Sequence, residues 1–174
     1  NTVAFIPTAA DPYEDRSFVE LDRDALSELG FNIQDVDING WAMEALEKEL
    51  ENIDIIFVAW WNTFYLLEKV VQAWFDKVVK KHISMDKYYI GSSAGSIILW
   101  TTIEHVKSFD DPSLAPNLKS YDGLNLINKN ILPHYWENKY KEKMDEVLLE
   151  YANVITFWDD EMLTANNQGE YEKR

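Results

Sequence analysis

Short strand-like segments alternate with helix-like segments along the first hundred residues, and this alternation constrains the fold more than any other feature of the chain. The strand-like segments lie at 3–7, 31–38, 53–59 and 87–90. Apolar residues recur at helical spacing over about 15–29, 42–52 and 63–81. Such alternation favours a mostly parallel sheet with helices on both faces. We therefore predict an α/β fold, a three-layer sandwich with a mostly parallel central sheet.

The second half of the chain is less regular. A polar loop covers 107–123, short strands are expected near 124–127 and 130–134, and helical spacing runs over about 137–151. The tail indicates a strand and then a C-terminal β-hairpin that turns at "NNQG", residues 166–169. We predict one domain over 1–174. Because the chain opens on Asn1 and enters a strand-like segment at once, we expect some N-terminal residues of the full domain to be missing.

Two helical patterns predict which side chains face the core. The first helix carries its apolar residues on one face, formed by Phe18, Leu21, Ala25, Leu26 and Leu29. In the long third helix Trp74 recurs at helical intervals with apolar neighbours, so we assign it to the core rather than to a cofactor site.

Charge and cysteine content exclude several functions. The 174 residues include 31 acidic and 16 basic ones, a formal net charge of −15, with no basic run that could follow a phosphate backbone, so nucleic acid is not an expected partner. The chain has no cysteine, which removes disulfides, thiolate metal sites and cysteine nucleophiles. The acidic pairs 110/111 and 159/160 resemble loop acids and suggest no metal, and we expect no cofactor.

The sequence shows no sign of a membrane or secretory segment. No apolar run approaches the ~20 residues of a membrane-spanning helix. The first residues, "NTVAFIPTAADP", lack the basic start and long apolar middle of a signal peptide. We therefore expect a cytoplasmic protein with no membrane partner.

The stretch "KYYIGSSAGSIILW", residues 87–100, carries the pattern G-x-S-x-G around Ser93. In several hydrolase folds this pattern marks a strained turn between a strand and a helix, which holds a serine hydroxyl out over the sheet. The flanking residues fit, because "KYYI" is strand-like and "AGSIILW" has the composition of a helix. Ser93 is therefore a candidate nucleophile at the carboxyl end of a parallel strand.

A serine nucleophile needs a base, usually a histidine oriented by a carboxylate, and the chain offers three histidines. His82 ends a helix, where we expect it in solvent near the negative end of the dipole. His105 lies in an alternating stretch that predicts an outward-facing side chain. His134 follows an apolar strand and a proline, so the strand end would bring it to the same edge of the sheet as Ser93.

Five segments occur in the same order as in one peptidase family. They stand here as "VAFIPTA" (3–9), "AWWNTFYLL" (59–67), "GSSAGS" (91–96), "YDGLNLI" (121–127) and "LPHY" (132–135). On these motifs, which span nearly the whole chain, the sequence resembles the serine peptidases that include dipeptidase E and cyanophycinase. The resemblance implies a serine exopeptidase or dipeptidase that hydrolyses small peptides, among them aspartyl peptides.

The resemblance also implies a Ser-His-Asp triad. Ser93 would be the nucleophile, His134 the general base, and Asp110, in the loop after the elbow helix, the acidic partner, with Asp111 in reserve. The backbone N–H of Ala94 would be one oxyanion donor, because it follows the nucleophile at the start of a helix.

The family's glycine loop, which resembles GGGN, reads Ala59-Trp60-Trp61-Asn62 in this chain. In the family that loop supplies a second oxyanion donor, so Trp60, Trp61 and Asn62 are assigned to the oxyanion and substrate-binding site. Glycine is used where a backbone needs positive φ or approaches a ligand closely, and tryptophan serves neither need well. We expect the loop backbone to differ from an oxyanion-binding arrangement and at least one indole to lie over or beside Ser93.

A second hypothesis follows from the tryptophans. In it the chain is a catalytically impaired or engineered member of the family that acts as a binding module or scaffold through a Trp-rich surface. That surface would be formed by Trp60, Trp61, Trp100, Trp136 and Trp158. Its partner would be a further copy of the chain, in a homo-oligomer, or an engineered protein.

Recognition of an acidic substrate side chain requires a cation in the pocket. Arg16, Arg23 and Arg174 all lie away from the motifs. Lys139 and Lys141, just after His134, are the nearest candidates, although a solvated helix face also explains them.

Overall fold

The computed structural model describes residues 1–135, 140–166 and 170–174. Its central sheet has the parallel strands β1 (Thr2–Ile6), β2 (Asn32–Asp35), β3 (Ile55–Val58) and β4 (Tyr88–Gly91), in the order β2-β1-β3-β4. Each strand falls within a strand-like segment of the sequence or overlaps one, and the predicted α/β fold with a mostly parallel sheet is confirmed. β1 and β3 are central and buried, which explains their near-continuous apolar composition.

Helices cover both faces of this sheet. They are α1 (Ser17–Glu28), α2 (Met43–Glu49), α3 (Thr63–Gln72), α4 (Phe75–Ser84) and α5 (Ala94–Ile97). A further helix, α6 (Lys141–Glu150), packs instead in a separate cluster around Leu132. α1 packs Val19 and Leu26 against the face that carries Val3 and Phe5. α2, α3 and α4 pack on the opposite face, around Ile56. The carboxyl ends of β1, β3 and β4 meet at one edge between these layers.

The inward face of α1 differs from the predicted one. Val19 and Leu26 are buried, whereas Phe18, Leu21 and Leu29 are exposed. Both sets of residues satisfy helical spacing, so spacing alone does not decide which stripe of the helix meets the sheet.

The long helix predicted over 63–81 is broken at Trp74. This residue has a φ of 55°, in the left-handed region, and separates α3 from α4. A right-handed helix does not continue through such a residue. The Trp74 side chain is 58% exposed, so its assignment to the core is wrong.

Beyond α5 the chain adds two small sheets. β5 (Asn130–Leu132) pairs in parallel with β6 (Val154–Thr156), and β7 (Leu163–Ala165) pairs antiparallel with β8 (Tyr171–Lys173). The C-terminal hairpin is thereby confirmed, although residues 167–169 of its predicted turn lie outside the described residues. The segment 124–127, predicted as a strand, is irregular. Of the helices that the structure describes, none has the length and apolar character needed to span a bilayer.

Two histidines that we expected at the surface are buried. His82 and His105 are each 2% exposed, and desolvation lowers the pKa of both imidazoles. His82 lies against the start of β4, and His105 Nε2 donates to the carbonyl oxygen of Ile131 in β5 at 2.9 Å. The predicted exposure of both side chains is wrong because the strands that cover them come from later in the chain.

Candidate active site

Ser93 occupies a tight turn between a strand and a helix. β4 ends at Gly91, α5 begins at Ala94, and Ser93 has φ and ψ of 44° and −105°. A non-glycine residue with such dihedrals costs about 1–3 kcal/mol and persists only where the surroundings hold it in place. The structure thus has the strand, strained turn and helix of a nucleophile elbow at this serine.

The two glycines of the G-x-S-x-G motif permit close backbone packing around Ser93. A Cβ at Gly91 would clash with the backbone of Gly95 and Ser96, and a Cβ at Gly95 would clash with the carbonyl group of Val58 in β3. The first turn of α5 therefore lies directly on the end of β3. Any side chain in place of either glycine would push the elbow away from the sheet.

Further hydrogen bonds hold the elbow. The phenol of Tyr89 donates to the Gly95 carbonyl oxygen at 2.7 Å. The Ser96 hydroxyl donates to the carbonyl oxygen of Ser93 at 2.6 Å, and the Ser92 N–H donates to that of Val58 at 2.9 Å. These bonds come from β3, β4 and α5, so the Ser93 backbone is fixed on all sides.

His134 lies within hydrogen-bonding distance of Ser93. The His134 Nε2 atom is 3.2 Å from Ser93 Oγ, and its Nδ1 atom is 2.6 Å from Asp159 Oδ1. The side chains of His134 and Asp159 are 42% and 50% exposed, so the hydrogen bond between them is open to water. The structure brings the two residues that sequence analysis paired, Ser93 and His134, into the expected contact.

The β5–β6 pair explains how His134 and Asp159 meet. His134 follows β5 and Asp159 follows β6, and parallel strands end at the same edge. The pairing continues past both strands, because the Tyr135 N–H donates to the Phe157 carbonyl oxygen at 2.8 Å. His134 itself has a φ of 60°, which turns its side chain out of the strand direction.

The acidic residue at the imidazole is Asp159, and not Asp110 or Asp111, which were expected there from the sequence. The Asp110 carboxylate accepts hydrogen bonds from the Thr63 N–H at 2.8 Å and the Thr63 hydroxyl at 2.5 Å, at the start of α3. Asp111 accepts from the Ser113 N–H at 2.9 Å. Asp110 is thus held by the first turn of α3, and Asp111 caps the short 3-10 turn that follows it.

Burial of the Asp110 carboxyl raises its pKa, and the bonds from Thr63 and the nearby His134 imidazole oppose this shift. Asp110 is therefore within electrostatic reach of His134 without being its hydrogen-bonded partner. The sequence signal for Asp159 is that it follows a short apolar segment, "NVITFW", which becomes β6. The pairing of β6 with β5, which brings Asp159 to His134, cannot be read from the sequence.

Backbone donors suited to an oxyanion lie on both sides of Ser93. The N–H group of Ala94 is the first of α5, and within the described residues it has no hydrogen-bond acceptor. The N–H groups of Trp60 and Trp61 likewise have no acceptor in the part of the chain that the structure describes. Trp61 has a φ of 132°, a region that favours glycine, so the loop keeps a glycine-like turn with an indole on it.

Asn62, assigned from sequence to the substrate site, has a structural role. Its side chain is buried, its amide oxygen accepts from the Tyr65 N–H at 2.8 Å, and its amide nitrogen donates to the Asp111 carbonyl oxygen at 3.0 Å. Asn62 thus caps α3 and ties it to the loop that carries Asp110.

Four aromatic side chains form a cluster next to Ser93 and His134, which we call the aromatic wall: Tyr13, Phe18, Trp60 and Trp61. Trp61 stacks between Tyr13 and Trp60, with ring centroids 4.7 and 5.3 Å apart. Phe18 packs against Trp60 at 5.0 Å. The Trp60 ring lies 6.4 Å from the His134 ring, so an indole lies beside the imidazole, while its expected place over or beside Ser93 stays a prediction.

The other tryptophans of the predicted Trp-rich surface do not form one surface with the aromatic wall in the described residues. Trp100 is fully buried with Ile131 and Phe157, so its assignment to an exposed Trp-rich surface is wrong. Trp158 is exposed. Trp136 lies outside the described residues.

The cations considered for substrate recognition are paired with carboxylates. Arg16, Arg23 and Arg174 bind Asp11, Asp35 and Glu172, and Lys141 binds Asp145. Lys139 lies outside the described residues.

Comparison with known proteins gives consistent matches over most of the chain. The model of peptidase family S51 matches residues 1–170. An uncharacterized peptidase of Listeria monocytogenes is 36% identical over 151 residues, which cover 87% of this chain and 74% of that protein. A peptidase E of a Nostoc species is 29% identical over 133 residues, 76% of this chain and 52% of that protein.

A solved structure shares the fold. The crystal structure of a candidate peptidase E protein from Listeria monocytogenes EGD-e matches with a TM-score of 0.93 and 32% sequence identity. The match covers 99% of this chain and 85% of that one. The elbow, the β5–β6 pair and the C-terminal hairpin therefore all lie within a fold that this peptidase E-like protein has.

Proposed function

This chain belongs to peptidase family S51 and is a peptidase, and we propose that it is a serine exopeptidase of short peptides that uses Ser93, His134 and Asp159. The contact of Ser93 Oγ with His134 Nε2, at 3.2 Å, is the observation that carries the proposal. It supplies what a serine hydroxyl needs to become a nucleophile, a base at hydrogen-bonding distance.

In the proposed reaction Ser93 Oγ attacks the peptide carbonyl carbon while its proton passes to His134 Nε2. The proton then moves to the leaving nitrogen as the C–N bond breaks, which leaves an acyl ester on Ser93. His134 next takes a proton from water as the water oxygen attacks the ester carbon. The C–Oγ bond then breaks, His134 returns the proton to Ser93 Oγ, and the acid product leaves. Asp159 accepts from Nδ1–H of His134 and so fixes the tautomer in which Nε2 is free to act as base.

Stabilisation of the tetrahedral oxyanion falls to backbone donors. Ala94 N–H, at the start of α5, is the first, and the N–H groups of Trp60 and Trp61 are the candidates for the second. Loss of one such donor typically lowers kcat by ~10²–10³-fold. The alternative of a binding module without catalysis is not favoured by the family match.

A serine-directed fluorophosphonate tests this proposal without knowledge of the substrate. We expect mass spectrometry to find the label on Ser93, and we expect Ser93→Ala and His134→Gln to abolish it. Ser92→Ala is the matched control, since it removes the neighbouring hydroxyl of the same turn and leaves Ser93 in place. A label on any other serine would contradict the assignment.

A second comparison separates the two acidic residues. Asp159→Asn removes the charge at His134 Nδ1, and we expect the labelling rate to fall by roughly 10²–10³-fold, less than for a fully buried triad because Asp159 is half exposed. Asp110→Asn keeps an oxygen acceptor for Thr63, so we expect a far smaller loss. A greater loss for Asp110→Asn would return the acidic role to Asp110.

A further inference from the structure

The aromatic wall is the strongest feature near the catalytic pair that the proposed reaction does not use. Its rings stack in series from Tyr13 through Trp61 to Trp60, and the Trp60 and Trp61 rings are nearly parallel, with an angle of 8° between their planes. Trp60 and Trp61 are only half-buried, so part of the wall faces solvent. Rigid, partly exposed aromatic planes next to a nucleophile offer a surface for a flat side chain.

We propose that the aromatic wall is a subsite that selects peptides with an uncharged aromatic side chain next to the scissile bond, in place of an acidic one. This inference rests on the proposed peptidase function and adds the class of substrate. The Trp60 ring is 6.4 Å from the His134 ring, so the side chain of a residue whose carbonyl lies at Ser93 is within reach of the indole. An incoming ring would extend the stack that Tyr13, Trp61 and Trp60 begin.

Local charge opposes an acidic side chain at this place. Asp159 binds the imidazole, Asp110 lies within electrostatic reach of it, and Asp22 of α1 lies beside Ser92, the neighbour of the nucleophile. A substrate carboxylate would therefore approach three carboxyl groups. The nearest basic residues do not offset the negative charge of these carboxyl groups.

The basic residues nearest to the wall in sequence are engaged. Arg16 is bound to Asp11 at 3.1 Å, and Arg23 is bound to Asp35 at 3.0 Å through two of its nitrogens. Recruitment of either for a substrate carboxylate would first break an existing ion pair. Within the described residues the geometry thus favours an apolar over an acidic side chain.

Binding to the inactive Ser93→Ala variant tests the subsite independently of catalysis. Calorimetric titration would compare Phe-Ala, Leu-Ala, Asp-Ala and Lys-Ala, which differ only in the first side chain. We expect Phe-Ala to bind at least about tenfold more tightly than Asp-Ala and more tightly than Leu-Ala. Binding of Asp-Ala or Lys-Ala as tight as that of Phe-Ala, or no binding by Phe-Ala, would overturn the proposal.

The role of the wall itself is tested by substitution in the same inactive background. We expect Trp60→Ala to bring the ratio of Phe-Ala to Leu-Ala affinity close to one, because it removes the aromatic surface and leaves the nearby carboxyl groups in place. Trp74→Ala, which removes an exposed tryptophan between α3 and α4, should leave that ratio unchanged. Phe18 packs against the Trp60 ring, so Phe18→Ala should loosen that ring and give an intermediate affinity ratio. This variant replaces Trp60→Ala if circular dichroism shows that Trp60→Ala is misfolded. An unchanged ratio in the folded variants would overturn the subsite.

The outcomes separate the two proposals. Fluorophosphonate labelling of Ser93 with no aromatic preference in binding contradicts the subsite and leaves the peptidase intact. Aromatic preference in binding with no labelling of Ser93 contradicts the catalytic proposal and leaves the wall as a binding surface.

Discussion

At the scale of single residues, the site depends on backbone conformations that few residues adopt. Ser93 and His134 both have positive φ, at 44° and 60°, and Trp61 has a φ of 132°. Strain of this kind is maintained only by packing elsewhere, and here the packing is the contact of Gly95 with Val58. Whether the Trp61 loop departs from an oxyanion-binding arrangement remains a prediction.

Substitution of Gly95 measures how tightly the elbow is packed. Gly95→Ala places a methyl group on the Val58 carbonyl, and we expect a loss of at least about 1–3 kcal/mol in the free energy of unfolding together with loss of Ser93 labelling. Gly40→Ala is the control, because Gly40 has a φ of 81° but open space around it, so it costs only about 1 kcal/mol of backbone strain. Urea denaturation provides both values. Equal losses for the two variants would mean that the contact with β3 does not constrain the elbow.

The buried Asp110 gives a pH-dependent prediction. Its folded-state pKa is raised, so between pH 3.8 and the raised value the folded protein binds more protons than the unfolded chain. This carboxyl therefore lowers stability at neutral pH, and its penalty disappears as the pH falls through that window. We expect Asp110→Asn to be at least as stable as the native chain at pH 7 and to lose this advantage by pH 4, as measured by urea denaturation. If the stability advantage of Asp110→Asn grew as the pH fell, the raised pKa of Asp110 would be contradicted.

At the scale of elements, the residues of the proposed triad come from two different sheets. β4 supplies Ser93, whereas β5 and β6 supply His134 and Asp159. His105, in the segment between α5 and β5, links that segment to the second sheet. It is buried and donates to the carbonyl oxygen of Ile131 in β5, three residues before His134. The placement of the proposed base, His134, therefore depends on a buried histidine outside the proposed triad.

His105 should make the stability of the protein fall in mild acid. Its folded-state pKa lies below its ordinary value of about 6.5, so below pH 6.5 the unfolded chain binds a proton that the folded protein resists. Burial of the neutral His105 side chain therefore costs no free energy of unfolding above pH 6.5, and the protein loses stability as the pH falls below that value. We expect the native chain to lose more free energy of unfolding between pH 7.5 and 5.5 than His105→Gln does. His82, which is buried in the same way, is present in both proteins and cancels in the comparison.

The elements also show what the sequence could and could not predict. The four strands of the main sheet follow from apolar segments, and Ser93 and His134 follow from motif and strand-end position. The break at Trp74 was missed because apolar spacing continues through a residue that is left-handed. Asp159 was missed because its place depends on the parallel pairing of β5 with β6, a contact between segments about 25 residues apart that no local pattern encodes.

At the scale of the whole molecule, the formal net charge of −15 acts on substrates before they bind. A field of this sign repels anionic peptides, and salt screens it over a Debye length of ~8–10 Å at 0.1–0.15 M. The effect is on the rate of encounter and is independent of contacts in the site.

Salt should therefore affect acidic and neutral peptides differently. We expect kcat/KM for Asp-Ala to rise by about two- to tenfold between low and high ionic strength, because screening reduces the repulsion. Phe-Ala has no net charge, so its kcat/KM should change little and provides the control. A parallel response of the two dipeptides would mean that the net charge has no part in substrate choice.

The division of the proposed triad between two sheets also has a consequence for synthesis on the ribosome. Chains are made from the N-terminus at ~5–20 residues per second, and folded parts form as they emerge. The nucleophile elbow is complete by α5, but its base and acid arrive only with β5 and β6, some 40 to 65 residues later. A nascent chain therefore carries Ser93 before His134 and Asp159 can reach it, so the proposed triad forms only after β5 and β6 have paired.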